Sequence, residues 1–289
     1  MTTALALLLA CAPSARTADA QDTAPMDDTG TPGNGVFALA AGGFHTCALL
    51  DGYPSCWGGS GAMDHAQTSP PPALFDGLVA GLTHTCALQG EEAICWGNDA
   101  YGQASAPLGP RFSALAAGDY HSCGITIDGL AICWGSDDFG QSSPPDGPFI
   151  AIAAGRTHTC ALQSDGHPTC WGSLTTAPDR PLVTLGAGTD YACGLDAIGE
   201  VACWGDVEPR IYDIAVLSLP ALAVASGSKH VCALLENNLV TCAGNDDAGQ
   251  LASPATPFTH VTAGSQHSCA MDAQNTVRCW GDDSFDQIP

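Results

Sequence analysis

The sequence predicts an all-β fold, a seven-bladed β-propeller, and three observations predict it. One unit, approximately A-G-x-x-H-T-C-A-L-x-x-D-G-x-x-x-C-W-G, recurs seven times along the chain. Each copy carries two cysteines at hairpin spacing: Cys47 with Cys56, Cys86 with Cys95, Cys123 with Cys133, Cys160 with Cys170, Cys193 with Cys203, Cys232 with Cys242 and Cys269 with Cys279. Successive first cysteines lie 39, 37, 37, 33, 39 and 37 residues apart, a period typical of solenoids and propellers. One repeat family from about Val36 to Gln287 leaves no room for a second domain in 289 residues.

Ahead of the repeats, a short apolar run from Ala4 ends in Leu8-Leu9-Ala10-Cys11. It resembles a bacterial lipoprotein signal, residues 1–11, with Cys11 as the lipidated residue. No Lys or Arg precedes the run and it is short for a signal core, so an ordinary secretory signal or a misplaced start stays open. Residues 12–35 are Ala, Thr, Asp, Pro and Gly with almost nothing to bury, the composition of a disordered tether. Membrane contact is thus expected only through an N-terminal lipid, because no apolar stretch approaches the ~20 residues of a spanning helix. The propeller occupies 36–289, and the expected location is exported: outer membrane, cell surface or periplasm.

Within each unit the first element is an apolar segment such as Phe149-Ile150-Ala151-Ile152-Ala153-Ala154, followed in all seven copies by a glycine. That reads as a buried strand stopped by a turn. Two further strands form a hairpin whose register can be tested by arithmetic, because facing cysteines must be centred on the turn. Cys47 and Cys56 centre on Asp51-Gly52, a favoured two-residue turn, and Cys86 and Cys95 on Gly90-Glu91, which suits the mirror type with glycine first. The other five pairs are one residue further apart. Their three-residue loops end at Gly129, Gly166, Gly199, Asn238 and Asn275, residue types that tolerate positive φ. Each cysteine therefore faces its mate at disulfide distance. Free thiols would be a liability in this number, and zinc would need two further ligands per pair.

Alternation along the hairpin puts cysteine and leucine on one blade face and tryptophan on the other. Stacking such blades face to face buries all six tryptophans, with Ala243 in the seventh slot. Seven sheets arranged radially also protect their strand edges. The pattern A-G-x-x-H-T-C-A-L…D-G…C-W-G-x-N-x-x-G-Q resembles the regulator of chromosome condensation repeat in its short, cysteine-bearing bacterial form. The resemblance implies a seven-bladed propeller over about 250 residues and a protein-gripping role. The family spans a nucleotide-exchange factor on chromatin, ubiquitin-ligase modules and a secreted inhibitor of β-lactamases. The fourth unit departs from it, with Ser173-Leu174-Thr175 in place of the N-x-x-G-Q turn, and the fifth has an irregular 206–220 connection.

Thirty acidic against seven basic residues give a net charge of -23, which repels phosphate backbones, so nucleic acid is not an expected partner. The loop after the first strand and the loop after the third leave at one end of every blade. That end collects Phe44, Tyr101, Tyr120, Phe139 and Phe285 with Asp99, Asp138, Asp247 and Asp283, the expected binding face for another protein. No cofactor is expected. Calcium is weakly suggested by the acidic loops, which are too short for an EF-type site, and a calcium- or glycan-dependent adhesion module stays open as an alternative. Six histidines share one repeat slot (His45, His84, His121, His158, His230, His267), with Tyr191 in the fifth copy. Belonging to the repeat, they are expected to make structural hydrogen bonds. The sequence contains no nucleophile elbow, zincin pair or phosphate loop, so no catalytic or metal-binding residue is assigned and a hydrolase or lyase on a propeller is a second alternative.

Overall fold

The computed structural model describes residues 36–289 apart from 208–209, 212–213 and 215–218. Cys11 and the 12–35 tether lie outside the described residues. Among the described residues, twenty-one strands form seven antiparallel three-stranded sheets, one per repeat, in simple sequence order. The first blade consists of β1 (Val36–Ala41), β2 (His45–Leu50) and β3 (Tyr53–Gly58). Because β1 pairs with β2 of its own repeat, every blade is complete within one repeat. Among the described residues no strand is exchanged, and the ring closes by packing of the seventh blade on the first.

First strands of neighbouring blades touch right round the ring, so they are innermost. The glycine ending each inner strand is there because nothing else fits. A Cβ on Gly42, Gly81, Gly118, Gly155, Gly188, Gly227 or Gly264 would lie 2.2 to 2.6 Å from the carbonyl oxygen of the matching glycine one blade on, Gly264 meeting Gly42. All seven blades also pass a backbone hydrogen bond around the axis, among them Gly43 N–H to Gly81 O at 3.0 Å and, closing the ring, Ser265 N–H to Gly42 O at 3.3 Å. The void left on the axis is only about 60 Å³.

The hairpins follow the register expected from their turns. Each cysteine is paired with its mate across the second and third strands. All seven disulfides are formed, with Cα separations of 4.0 to 4.1 Å. Asp51 and Gly52 both have positive φ, as does Gly90, and so do the five residues predicted to close the longer loops.

Blades stack as disulfide face on tryptophan face. Trp96 packs on Cys47, Leu49 and Phe75, and Trp134 on Cys86, Leu88 and Phe112. Phe149 with Trp171 and Phe258 with Trp280 repeat the pairing, at ring separations of 5.9 and 6.3 Å. Ring closure uses Met271 and Val277 against Trp57. Four tryptophans are buried, while Trp57 and Trp204 are half-buried. Where Ala243 replaces the seventh indole, Val207, Ile211 and Ile214 from the irregular connection fill the space, Ile211 and Ile214 at 0% and 1% exposure.

Candidate functional site

In every blade the residue after Trp-Gly (Ala-Gly in the sixth) donates its N–H to the carbonyl of the residue before the histidine slot. Examples are Gly59 to Phe44 at 2.6 Å, Asn98 to Thr83 at 2.8 Å and Asp282 to Gln266 at 2.9 Å. This bond ties the two loops together and builds one continuous loop end. On it, the loop aromatic of one blade meets the residue before the histidine slot of the next. Phe285 packs edge-on against Phe44 with centroids 5.0 Å apart, and Tyr101 against Tyr120 at 5.3 Å. Phe139, whose counterpart position holds Thr157, is 59% exposed, and Tyr101 is 55% exposed.

Of the acids expected on this face, Asp99 and Asp283 bond within their own loops. Asp99 accepts from Ala104 N and Ser105 Oγ at 2.8 and 2.6 Å, and Asp283 from Ile288 N at 2.9 Å. Asp138 and Asp247 are exposed, and Asp247 accepts from the Asn245 amide at 2.8 Å. Among the described residues no cluster of three metal-ligating side chains occurs.

The six repeat histidines are buried, and five of them join blades through Nε2. His45 Nε2 contacts Thr85 Oγ1 at 2.8 Å, His84 Ser122, His121 Thr159, His230 Ser268, and His267 closes the ring onto Thr46. Each hydroxyl donates onward to the backbone carbonyl of a buried glutamine ending the previous blade's loop, as Thr159 does to Gln141 at 3.0 Å. The hydroxyl therefore accepts from the histidine, which fixes the proton on Nε2. The same carbonyl accepts the tryptophan N–H, at 2.9 Å from Trp171 to Gln141 and 2.8 Å from Trp57 to Gln287. Burial lowers the imidazole pKa values to about 3 for His45, His121 and His230 and to about 4 for His84, His158 and His267, so all six are neutral at pH 7. A neutral ring whose Nε2 is engaged between blades is mortar.

Sequence reasoning missed this glutamine–hydroxyl–tryptophan junction, although the signal was present. The fourth and fifth units lack the glutamine, and the units that follow them have Ala192 and Val231 where the others have Thr or Ser. Leu174 and Ile211 take the place of the glutamine turn there, lying against Gly205 and Gly244 as Gln141 lies against Gly172. Between the fifth and sixth blades the conversion is complete: Tyr191 replaces histidine and donates to His230 O at 2.6 Å. Between the fourth and fifth it is partial, leaving His158 Nε2 and Trp204 Nε1 buried without partners.

Two further features shape the surface. A cleft of about 390 Å³ opens on the loop end between the sixth, seventh and first blades, walled by Phe44 and Phe285 on one side and Lys229, Asn245 and Asp247 on the other. Beside the axis, burial raises the Asp119 carboxyl to about 6, opposed by Arg156 and reinforced by Asp190. The opposite end was read only as turns, yet among the described residues ten of the twelve exposed large hydrophobics lie on hairpin tips, such as Tyr53, Ile127 and Ile198, or on segments entering the inner strands, such as Ile150 and Leu222.

Among curated proteins no relative matches the chain. Among solved structures, the CRINKLY WD40 ectodomain of the Arabidopsis thaliana receptor kinase ACR4 is similar at 26% identity and TM-score 0.72, over 88% of this chain and 98% of that one. The entire ectodomain of the Physcomitrella patens receptor kinase CR4 is similar at 26% identity and TM-score 0.72, over 85% and 73%. Human WBSCR16 shares the fold at 16% identity and TM-score 0.67, over 82% and 87%. The family described as regulator of chromosome condensation (RCC1) repeat matches residues 112–141, 222–250 and 258–287. Three of the seven units, those of the third, sixth and seventh blades, thus match the regulator of chromosome condensation repeat, and the chain is a seven-bladed propeller of similar units.

Proposed function

We propose that this chain is an exported propeller that binds another protein through its loop end, as an adhesion, assembly or inhibitor-like scaffold without catalytic activity of its own. The observation that carries the reading is the gathering of Phe44, Tyr101, Tyr120, Phe139 and Phe285, none required by the repeat, on the rim of one end, four of them in cross-blade pairs. Rigid aromatics on a polar rim are what protein-binding hot spots use. Seven disulfides belong to an oxidising compartment, and the two plant relatives are receptor ectodomains. We place the anchor at Cys11, with residues 12–35 holding the propeller away from the membrane. Affinity capture of surface and secreted proteins by the oxidised chain, beside a variant with Tyr101, Tyr120, Phe139 and Phe285 changed to alanine, tests the reading. A protein retained only by the unmodified chain, with or without a calcium chelator, supports it. Equal retention by both overturns the face, and loss with chelator favours a calcium-dependent adhesion module.

A further inference from the structure

We infer that the cleft between the sixth, seventh and first blades is a binding site for a neutral sugar, which shares Phe44 and Phe285 with the protein-binding rim but not Tyr101, Tyr120 or Phe139. Its volume of about 390 Å³ lies within the range of small-ligand sites. The apolar wall is the Phe44–Phe285 pair, and the seventh blade contributes Ser265 and the exposed Gln266. Facing them, the sixth blade presents an amide that is already held in place. Asn245 Oδ1 accepts from Gln250 Nε2 at 2.8 Å and from Asp247 N at 3.2 Å, while its Nδ2 donates to Asp247 Oδ2 at 2.8 Å. One Asn245 N–H and the second Asp247 oxygen complete a fixed donor–acceptor edge, since each group has more capacity than these bonds use.

Charge selects the ligand. An anion would meet Asp247, Asp282 and a chain of net charge -23. Lys229 lines the same cleft and offsets part of that negative charge, which weakens the pull on a cation. A wholly apolar ligand would desolvate the amides and hydroxyls without pairing them. A pyranose offers a C–H face to a phenyl ring and hydroxyls that both donate and accept, and so satisfies every wall. The other aromatic pair provides an internal control, because Leu82 and Thr83 stand beside Tyr101–Tyr120 where Ser265 and Gln266 stand beside Phe285–Phe44.

Saturation-transfer NMR on the oxidised chain, with methyl glycosides of glucose, galactose and mannose and the disaccharides maltose, cellobiose and lactose as probes, tests the site. The expected result is saturable, chelator-insensitive binding of at least one probe in the millimolar range or tighter. Phe285→Ala and Gln266→Ala should each weaken it by about tenfold, roughly 1.4 kcal/mol, and Phe285→Leu by less. Tyr101→Ala/Tyr120→Ala should leave it unchanged, although that variant loses a partner bound at the aromatic rim, so the two readings fail separately. Absence of saturable transfer from every probe overturns the inference. Binding that survives Phe285→Ala in a chain with an unchanged melting temperature, or falls equally with Tyr101→Ala/Tyr120→Ala, also overturns it.

Discussion

Replacing Thr159 with valine should reveal how much one blade junction stabilises the ring. Valine keeps the β-branched shape that suits a strand and removes only the hydroxyl that accepts from His121 Nε2 at 2.7 Å and donates to Gln141 O at 3.0 Å. Gln141 O keeps the Trp171 N–H at 2.9 Å, but His121 is left with a wholly buried donor. An unsatisfied buried donor costs roughly 1–3 kcal/mol, and about 2 kcal/mol corresponds to roughly 4–8 °C in melting temperature for a domain of this size. The reverse exchange, Val231→Thr, sits at the junction where Ile211 replaces the glutamine turn. There the added hydroxyl meets aliphatic surface and should also destabilise, by about 1–3 kcal/mol. Denaturant unfolding of the oxidised protein followed by tryptophan fluorescence reads both. A Thr159→Val change within about 0.5 kcal/mol of the parent, or a stabilising Val231→Thr, would refute the reasoning.

The histidines predict acid sensitivity. Their folded pKa values of about 3 to 4 lie below the ordinary 6.5, so the unfolded chain takes up protons first. Their stabilisation is complete above about pH 6.5 and is lost as pH falls toward 4, by up to about 1.4 kcal/mol per histidine per pH unit. A tryptophan-fluorescence titration should show one cooperative transition in that window, and an unchanged native spectrum at pH 3 would contradict it. Ile211→Ala should cost about 2–5 kcal/mol by opening a cavity, and adding Ala243→Trp should recover part of it in a melting experiment. Failure of the double variant to exceed Ile211→Ala would mean that the connection does not stand in for the missing indole. Gly118→Ala, whose Cβ would lie 2.2 Å from Gly155 O, should abolish soluble expression of folded protein, whereas Gly77→Ala, with nothing within 4 Å, should be tolerated.

The chain announces its architecture through local chemistry. Turn residues such as Asp51-Gly52 and Asn238, centred between cysteines, set hairpin register without any knowledge of the rest of the fold. The glycine after each inner strand was legible as a turn but not as a steric requirement, because the oxygen that excludes a Cβ belongs to the next blade. Phe44 and Phe285 stand 241 positions apart and meet only after the ring closes, so repeat arithmetic placed them on one end but could not pair them. The acidic loops only weakly suggested calcium in sequence, and the part Asp99 and Asp283 play in bracing their own turns was not legible there. Exposed aliphatics such as Ile150 escaped notice because alternation assigns a side chain to a face without telling how much of that face a neighbour covers. The histidine junction was written in correlated substitutions between consecutive units, at Leu174 with Ala192 and Ile211 with Val231, a signal visible only when units are compared across a junction.

Amide hydrogen exchange on the oxidised chain, free and bound to the protein it captures, tests the central claim most directly. Protection concentrated in the loop-end segments 43–45, 98–103, 118–121, 136–141 and 282–287 is the predicted result. Protection confined to the hairpin tips around Tyr53, Ile127 and Ile198 would contradict it and place the partner on the opposite end.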